Sequence, residues 1–144
     1  MKNVEYEIGE NAGKLWQVLH EQGPLHLTKL IRTTKLSHEQ LYEAIGWLAR
    51  ENKISKDNSS DGGIYTLGNT NLVEKIGTDA GKVWKALRTN GECSVMNIAR
   101  ITQINLEDID SALGWLAREN KIHVSNKHHH VMFSLIEQEQ KIPT

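Results

Sequence analysis

The chain has 144 residues, with 17 Lys and Arg set against 18 Asp and Glu for a formal net charge of -1. That balance lacks the basic excess with which dedicated nucleic-acid binders displace counterions from phosphates. The single cysteine, Cys93, excludes an intramolecular disulfide, no apolar run reaches the ~20 residues that cross a bilayer, and MKNVEYEIGE has no secretory apolar core, so a reducing cytoplasm and a buried, structural Cys93 are expected.

Ala12, Leu15, Trp16 and Leu19 recur at helical spacing, and Gly23-Pro24 stops that first helix. Leu25-His26-Leu27 alternates over three residues, enough for a very short strand. Leu27, Leu30 and Ile31 mark a second, short helix. The third is opened by a capping box, Ser37 with Gln40 three residues on, and lined by Leu41, Ala44, Ile45 and Leu48. Only Thr33 to Leu36 separate helices two and three, so the two must cross steeply. The period then falls from 3.6 to 2: Ile54-Ser55-Lys56 leads through a polar turn, Asp57 to Gly63, into Ile64-Tyr65-Thr66-Leu67.

The same elements then return. A slide of 68 positions puts Ile8 on Ile76, Ala12-Gly13-Lys14 on Ala80-Gly81-Lys82, Trp16 on Trp84, Gly23 on Gly91 and Arg32 on Arg100, with no gap before Ile122. "GWLARENKI" occurs twice unchanged, at 46–54 and 114–122. Equal spacing over that length is what duplication of a folding unit leaves. Two units are expected, 1–68 and 69–144. In the second, Cys93-Ser94-Val95 stands for the short strand, Ser94 is a candidate cap, and Asn105 with Asp108 opens the third helix. Its hairpin is expected to turn at Asn126-Lys127. Gly46 and Gly114 sit inside helices at a cost of about 1 kcal/mol relative to alanine. That cost points to close packing, expected against Ala12-Gly13 and Ala80-Gly81 or against Trp16 and Trp84.

Helix, short strand, helix, helix, hairpin makes an α+β fold of two tandem winged helix-turn-helix units. The pattern Ile-Gly-x-x-Ala-Gly-Lys-x-Trp, the Gly after helix one, and Leu-Gly-Trp-Leu-Ala-Arg-Glu-x-Lys-Ile resemble a small family of bacterial and archaeal winged helix-turn-helix proteins. The first copy departs from the pattern only in Ile45, where Leu is usual. The resemblance covers most of the chain. Members are usually single units, mostly uncharacterised and assigned DNA binding from their fold, so the resemblance implies the fold strongly and the function weakly.

In a DNA-reading module of this kind the third helix enters the major groove, the second crosses the backbone, and the hairpin touches flanking phosphates. The expected contacts in the first unit are Lys29, Arg32 and Lys35 to phosphate, with His38, Gln40 and Tyr42 in the groove beside Glu39 and Glu43. Gln40 suits adenine and Tyr42 a thymine methyl. The second unit offers Arg100, but its helix opens with Glu107, Asp108 and Asp110. Those acids suit the helix dipole and repel phosphates, so the first unit is expected to carry any DNA binding.

His123, His128, His129 and His130 crowd the second hairpin. With a turn at Asn126-Lys127, His123 would face His130, and His123, His128 and His130 would share one face as candidate ligands for zinc, nickel or copper. A phosphate contact at acid pH and an inert solvated edge are the competing readings, and the inert edge, with no metal and no cofactor, is the one expected.

No phosphate loop, nucleophile motif or spaced acid–base pair marks an enzyme, and Cys93 has no helix N-terminus or basic partner to activate it. The expected function is a DNA-binding regulator acting mainly through its first unit. The rival is a protein-interaction scaffold of tandem winged helices, which the near-neutral charge suits better. No membrane partner is expected, and the relative orientation of the units and the oligomeric state are left open by the sequence.

Overall fold

The computed structural model describes residues 4–59, 62–127 and 129–136, with side chains from residue 7 onward. The first unit runs α1 (Val4–Gln22), β1 (Leu25–His26), α2 (Leu27–Thr34), α3 (His38–Arg50), β2 (Ile54–Asp57) and β3 (Ile64–Leu67). The second runs α4 (Val73–Asn90), α5 (Val95–Thr102), α6 (Leu106–Arg118), β4 (Ile122–Lys127) and β5 (His130–Leu135).

Local chemistry sets the boundaries. Gly23 and Gly91 end α1 and α4 in equivalent places, both at φ 79°. Ser37 and Gln40 form the full capping box of α3, each side chain meeting the other's backbone N–H at 3.0 Å. Its counterpart is half a box: Asn105 Oδ1 accepts from the Asp108 N–H at 2.9 Å, while the Asp108 carboxylate turns to Lys75 Nζ at 3.2 Å. Ser94 caps α5 through the Asn97 N–H. Lys35 and Gln103 end α2 and α5 in the left-handed region, at φ 62° and 64°. Asn52 and Asn120 repeat that conformation after α3 and α6, where asparagine's short polar side chain tolerates it.

Each unit has its own core. Leu15, Leu30, Leu41, Ile45 and Ile54 are wholly enclosed in the first, and Val83, Ile98, Ile109, Leu113 and Phe133 in the second. Burying each such side chain stabilises by roughly 1.5–3 kcal/mol relative to exposure. The sheets differ. The first is three-stranded in the order β1-β3-β2, and the second is the β4-β5 hairpin, to which Cys93 adds a single bridge to Phe133 in place of a strand. Cys93 is buried, as its sequence setting suggests, and burial raises its thiol pKa.

The second hairpin corrects the expected register. Val124 pairs with Phe133, Ser125 with Met132 and Lys127 with His130, so Asn126 and Lys127 belong to the strand rather than to the turn. The reason is burial. This register sets Val124 against Phe133 and Ile122 against Leu135 on the inner face, whereas a turn two residues earlier would leave Phe133 without an apolar partner. Outside, Lys127 Nζ reaches Glu92 Oε1 at 2.9 Å.

The units are joined in two ways. The connector is pinned to the first hairpin, because Asn71 bonds both the N–H and the C=O of Lys56 while Asn52 accepts from the Thr70 N–H at 2.9 Å. The larger junction is α3 against α6, the most extensive helix pair in the molecule.

Candidate nucleic-acid interface and the seam between units

The third helix of each unit is amphipathic on two faces rather than one. Leu41, Ala44, Ile45 and Leu48 point into the unit's own core. Glu43, Gly46, Trp47 and Arg50, also spaced three and four apart, form a second stripe that meets the equivalent stripe of α6. A Cβ on Gly46 would overlap the carbonyl oxygen of Ser111 and stand 3.0 Å from the Trp115 nitrogen. A Cβ on Gly114 would overlap the carbonyl oxygen of Glu43. The two glycines are therefore where the helix backbones cross. The expected neighbours were wrong: nothing lies within 4 Å of a Cβ placed on Gly13 or Gly81, and the close approach comes from the other unit.

The rest of the repeated block completes this seam. Arg50 Nε binds Glu119 Oε2 at 2.9 Å, and Arg118 Nε binds Glu51 Oε2 at 2.8 Å. The Arg50 guanidinium lies 5.7 Å from the centre of the Trp115 ring, and that of Arg118 5.8 Å from Trp47. Lys53 and Lys121 each return to the glutamate of their own unit at 3.3 Å. Each of these contacts has its reciprocal, as in an isologous interface. In such an interface one surface must complement itself, so the sequence "GWLARENK" is needed on both sides. Sequence reasoning missed this role, although its signal was the identity of the two blocks.

At the other end of the seam the helices bring acids together. Asp110 is 4 % exposed, and its Oδ1 has no hydrogen-bond partner. Burial, reinforced by Glu39 and Glu107, raises its carboxyl to about 8. Glu43 is likewise raised to about 8, by burial first and then by Asp110, Glu39 and Glu7. Tyr42 is half-buried, and its hydroxyl is pushed upward by burial and then by Glu107, Asp108 and Asp110. A cavity of about 300 Å³ opens beside this end, with Glu7, Glu39 and Glu43 on one side and Val95, Val131 and Phe133 on the other.

The residues expected to meet DNA separate into two groups. Lys29, Arg32 and Lys35 are exposed on α2 and its cap, and His38 is exposed at the start of α3. Gln40 is spent on the capping box, and Tyr42 packs against the first core beside α6 rather than standing free for a base. Arg100 is exposed but donates to Asn97 Oδ1 at 2.8 Å. His123 pairs across the hairpin with Ser134 and His130 with Lys127, so the two share a face yet stand four residues apart along it, ~13 Å at ~3.3 Å per residue. His128 lies outside the described residues. Among those described, no group of three His, Cys, Asp or Glu is placed to hold a metal ion. No described helix is long and apolar enough to cross a membrane.

The uncharacterized protein MJ1608 of Methanocaldococcus jannaschii is 38% identical over 56 residues, which cover 38% of this chain and 80% of that protein. The solution NMR structure of protein BT2368 from Bacteroides thetaiotaomicron is 29% identical, covers 49% of this chain and 96% of its own, and superposes with a TM-score of 0.42. The family described as "Winged helix-turn-helix domain (DUF2582)" matches twice, at residues 1–66 and again at 72–135. The duplicated framework, with a helix-turn-helix and a hairpin wing in each half, is accounted for by that double match: the chain belongs to this winged helix-turn-helix family, as two fused copies.

Proposed function

We propose that this protein is a tandem interaction module, built from units 1–68 and 69–144, that engages a protein partner rather than reading bases with its third helices. One observation carries the proposal: the middle turns of α3 and α6 are enclosed, each between its own core and the other helix. A helix entering the major groove must present the residues of its first two turns to the bases. Here Tyr42, Glu43 and Gly46 are committed to the seam, and the ends left outside, including Glu39 and Glu107, would bring carboxylates toward phosphates. The second unit supplies the chemistry of a protein contact, with Met96 66% exposed, Ile101 45% and Leu106 45%. Neither catalysis nor a cofactor enters this reading, and a cytoplasmic setting fits the lone buried thiol.

One observation favours a second reading, backbone binding of a nucleic acid through α2, where Lys29, Arg32 and Lys35 are all exposed. Fluorescence titration with mixed genomic DNA at low and high salt separates the two. The expected result is no sequence preference and at most weak binding that salt abolishes. Should such binding occur, Lys29→Glu with Arg32→Glu removes it and Arg100→Glu leaves it nearly unchanged. Tight, sequence-selective binding that persists at high salt would overturn the interaction-module proposal.

A further inference from the structure

At its Arg end the seam holds two ion-paired carboxylates, Glu51 and Glu119, which meet arginines and lysines. At the opposite end Asp108 is paired with Lys75, whereas among the described residues no ion pair reaches Asp110 or Glu43. Asp110 of α6 has an orphaned oxygen in the interior, and Glu43 of α3 lies beside it with its backbone against Gly114. The groups that face this pair are Glu7 from α1, Glu39 and Tyr42 from α3, and Glu107 and Asp108 from α6. From α4 comes one cation, Lys75, which is held by Asp79 at 3.1 Å and Asp108 at 3.2 Å. An ionised carboxylate in such a place is opposed by lost hydration and by like charge at once, and among the described residues no cation is paired with it.

We propose that the seam is a proton-gated clasp: it closes with Asp110 and Glu43 protonated, and loss of those protons drives α3 and α6 apart at this end, uncovering the stripe between them. The device is independent of which partner the module binds, since it concerns only the junction of the two units. Separation returns both carboxyls to water, where they ionise near pH 4, so the open form holds fewer protons than the closed one between roughly pH 4 and 8. The opening constant therefore rises by up to about tenfold per pH unit for each group across that interval and levels off once the closed form has also lost its protons.

The four tryptophans give a local readout in the full chain. Trp47 and Trp115 lie in the seam, whereas Trp16 stacks on His20 and Trp84 lies under Arg88. In a nitrogen-15 NMR titration from pH 5 to 9, the indole N–H signals of Trp47 and Trp115 are expected to move together with a midpoint well above that of an ordinary carboxyl. Asp110→Asn and Glu43→Gln, which keep shape and remove the titration, should each weaken that movement, and the double variant should abolish it. If one variant does not fold, the other carries the same test. Seam indoles that hold still across the range, or that move identically in wild type and variants, would overturn the clasp.

Discussion

The two units carry the same inner framework and opposite outer faces. On α2 the outward positions are Thr28, Lys29, Arg32, Thr33 and Lys35; on α5 the equivalent positions are Met96, Asn97, Arg100, Ile101 and Gln103. At the start of the third helix, His38 faces Leu106 in the comparison. One face is polar and basic, and the other sets exposed Met96 and Ile101 among two amides and a single tethered arginine. Along the Gly-Trp-Arg-Glu end of the seam there is no such drift, whereas at its other end Tyr42 and Glu43 stand where the second unit has Asp110 and Ser111. A change at the Arg end of the seam breaks a contact between the units, whereas a change on the exposed faces of α2 or α5 leaves that junction intact. Duplication left the outer faces free to part company and held the Arg end of the junction fixed.

The largest expected effect tests that symmetry directly. Gly46→Val and Gly114→Val each force a side chain into a backbone carbonyl of the facing helix, and each should lower stability to urea by about 3 kcal/mol or more, beyond the range of ordinary overpacking. The two losses should agree closely. A large loss at one glycine with tolerance at the other would show that the crossing is not reciprocal.

A smaller effect comes from protonation. Glu43 and Asp110 have folded pKa values raised above their ordinary ones, so the folded state binds more protons and stability falls as pH rises from about 5 to 8. The lowered carboxyls, Asp57 and Glu92, work in the opposite sense and act at more acid pH. Urea midpoints should therefore decline across that window in wild type and less steeply in Asp110→Asn. A wild-type profile that rises or stays level there contradicts the assignment.

Smaller again are the arginine–glutamate pairs. Both arginines are about half exposed, so each pair contributes only about 0.2–1 kcal/mol. Arg50→Glu and Arg118→Glu should destabilise to a similar extent, and Arg50→Glu combined with Glu119→Arg should recover part of the loss in a double-mutant cycle. The smallest effect belongs to the outer faces: Met96→Thr, which gives α5 the residue of α2, should change stability by no more than about 0.5 kcal/mol in thermal unfolding. A marked loss there would mean that the apolar face of the second unit supports its fold.

Much of the fold was legible because it is written in local signals. The capping residues Ser37, Ser94 and Asn105, the stop at Gly23 and Gly91, and the core spacing of Leu41, Ala44, Ile45 and Leu48 act within a few residues of themselves. The second hairpin was misread by two residues, because its turn contains neither glycine nor proline and its register answers to the burial of Phe133, which no local rule displays. Of the candidate site, Lys29, Arg32 and Lys35 lie on the surface as expected. Tyr42 and Gln40 do not stand free, since one is enclosed beside α6 and the other is consumed by a cap.

By itself the sequence determined that there are two units, which elements each contains and in what order, since periodicity and turn chemistry are properties of short stretches of chain. Only the tertiary structure decided how the units meet, and with that which helix faces remain for a partner. The physical reason lies in Gly46 and Gly114. A missing side chain announces that something comes close, but what comes close is a carbonyl of the other unit, that of Ser111 at Gly46 and that of Glu43 at Gly114, brought there by folding alone.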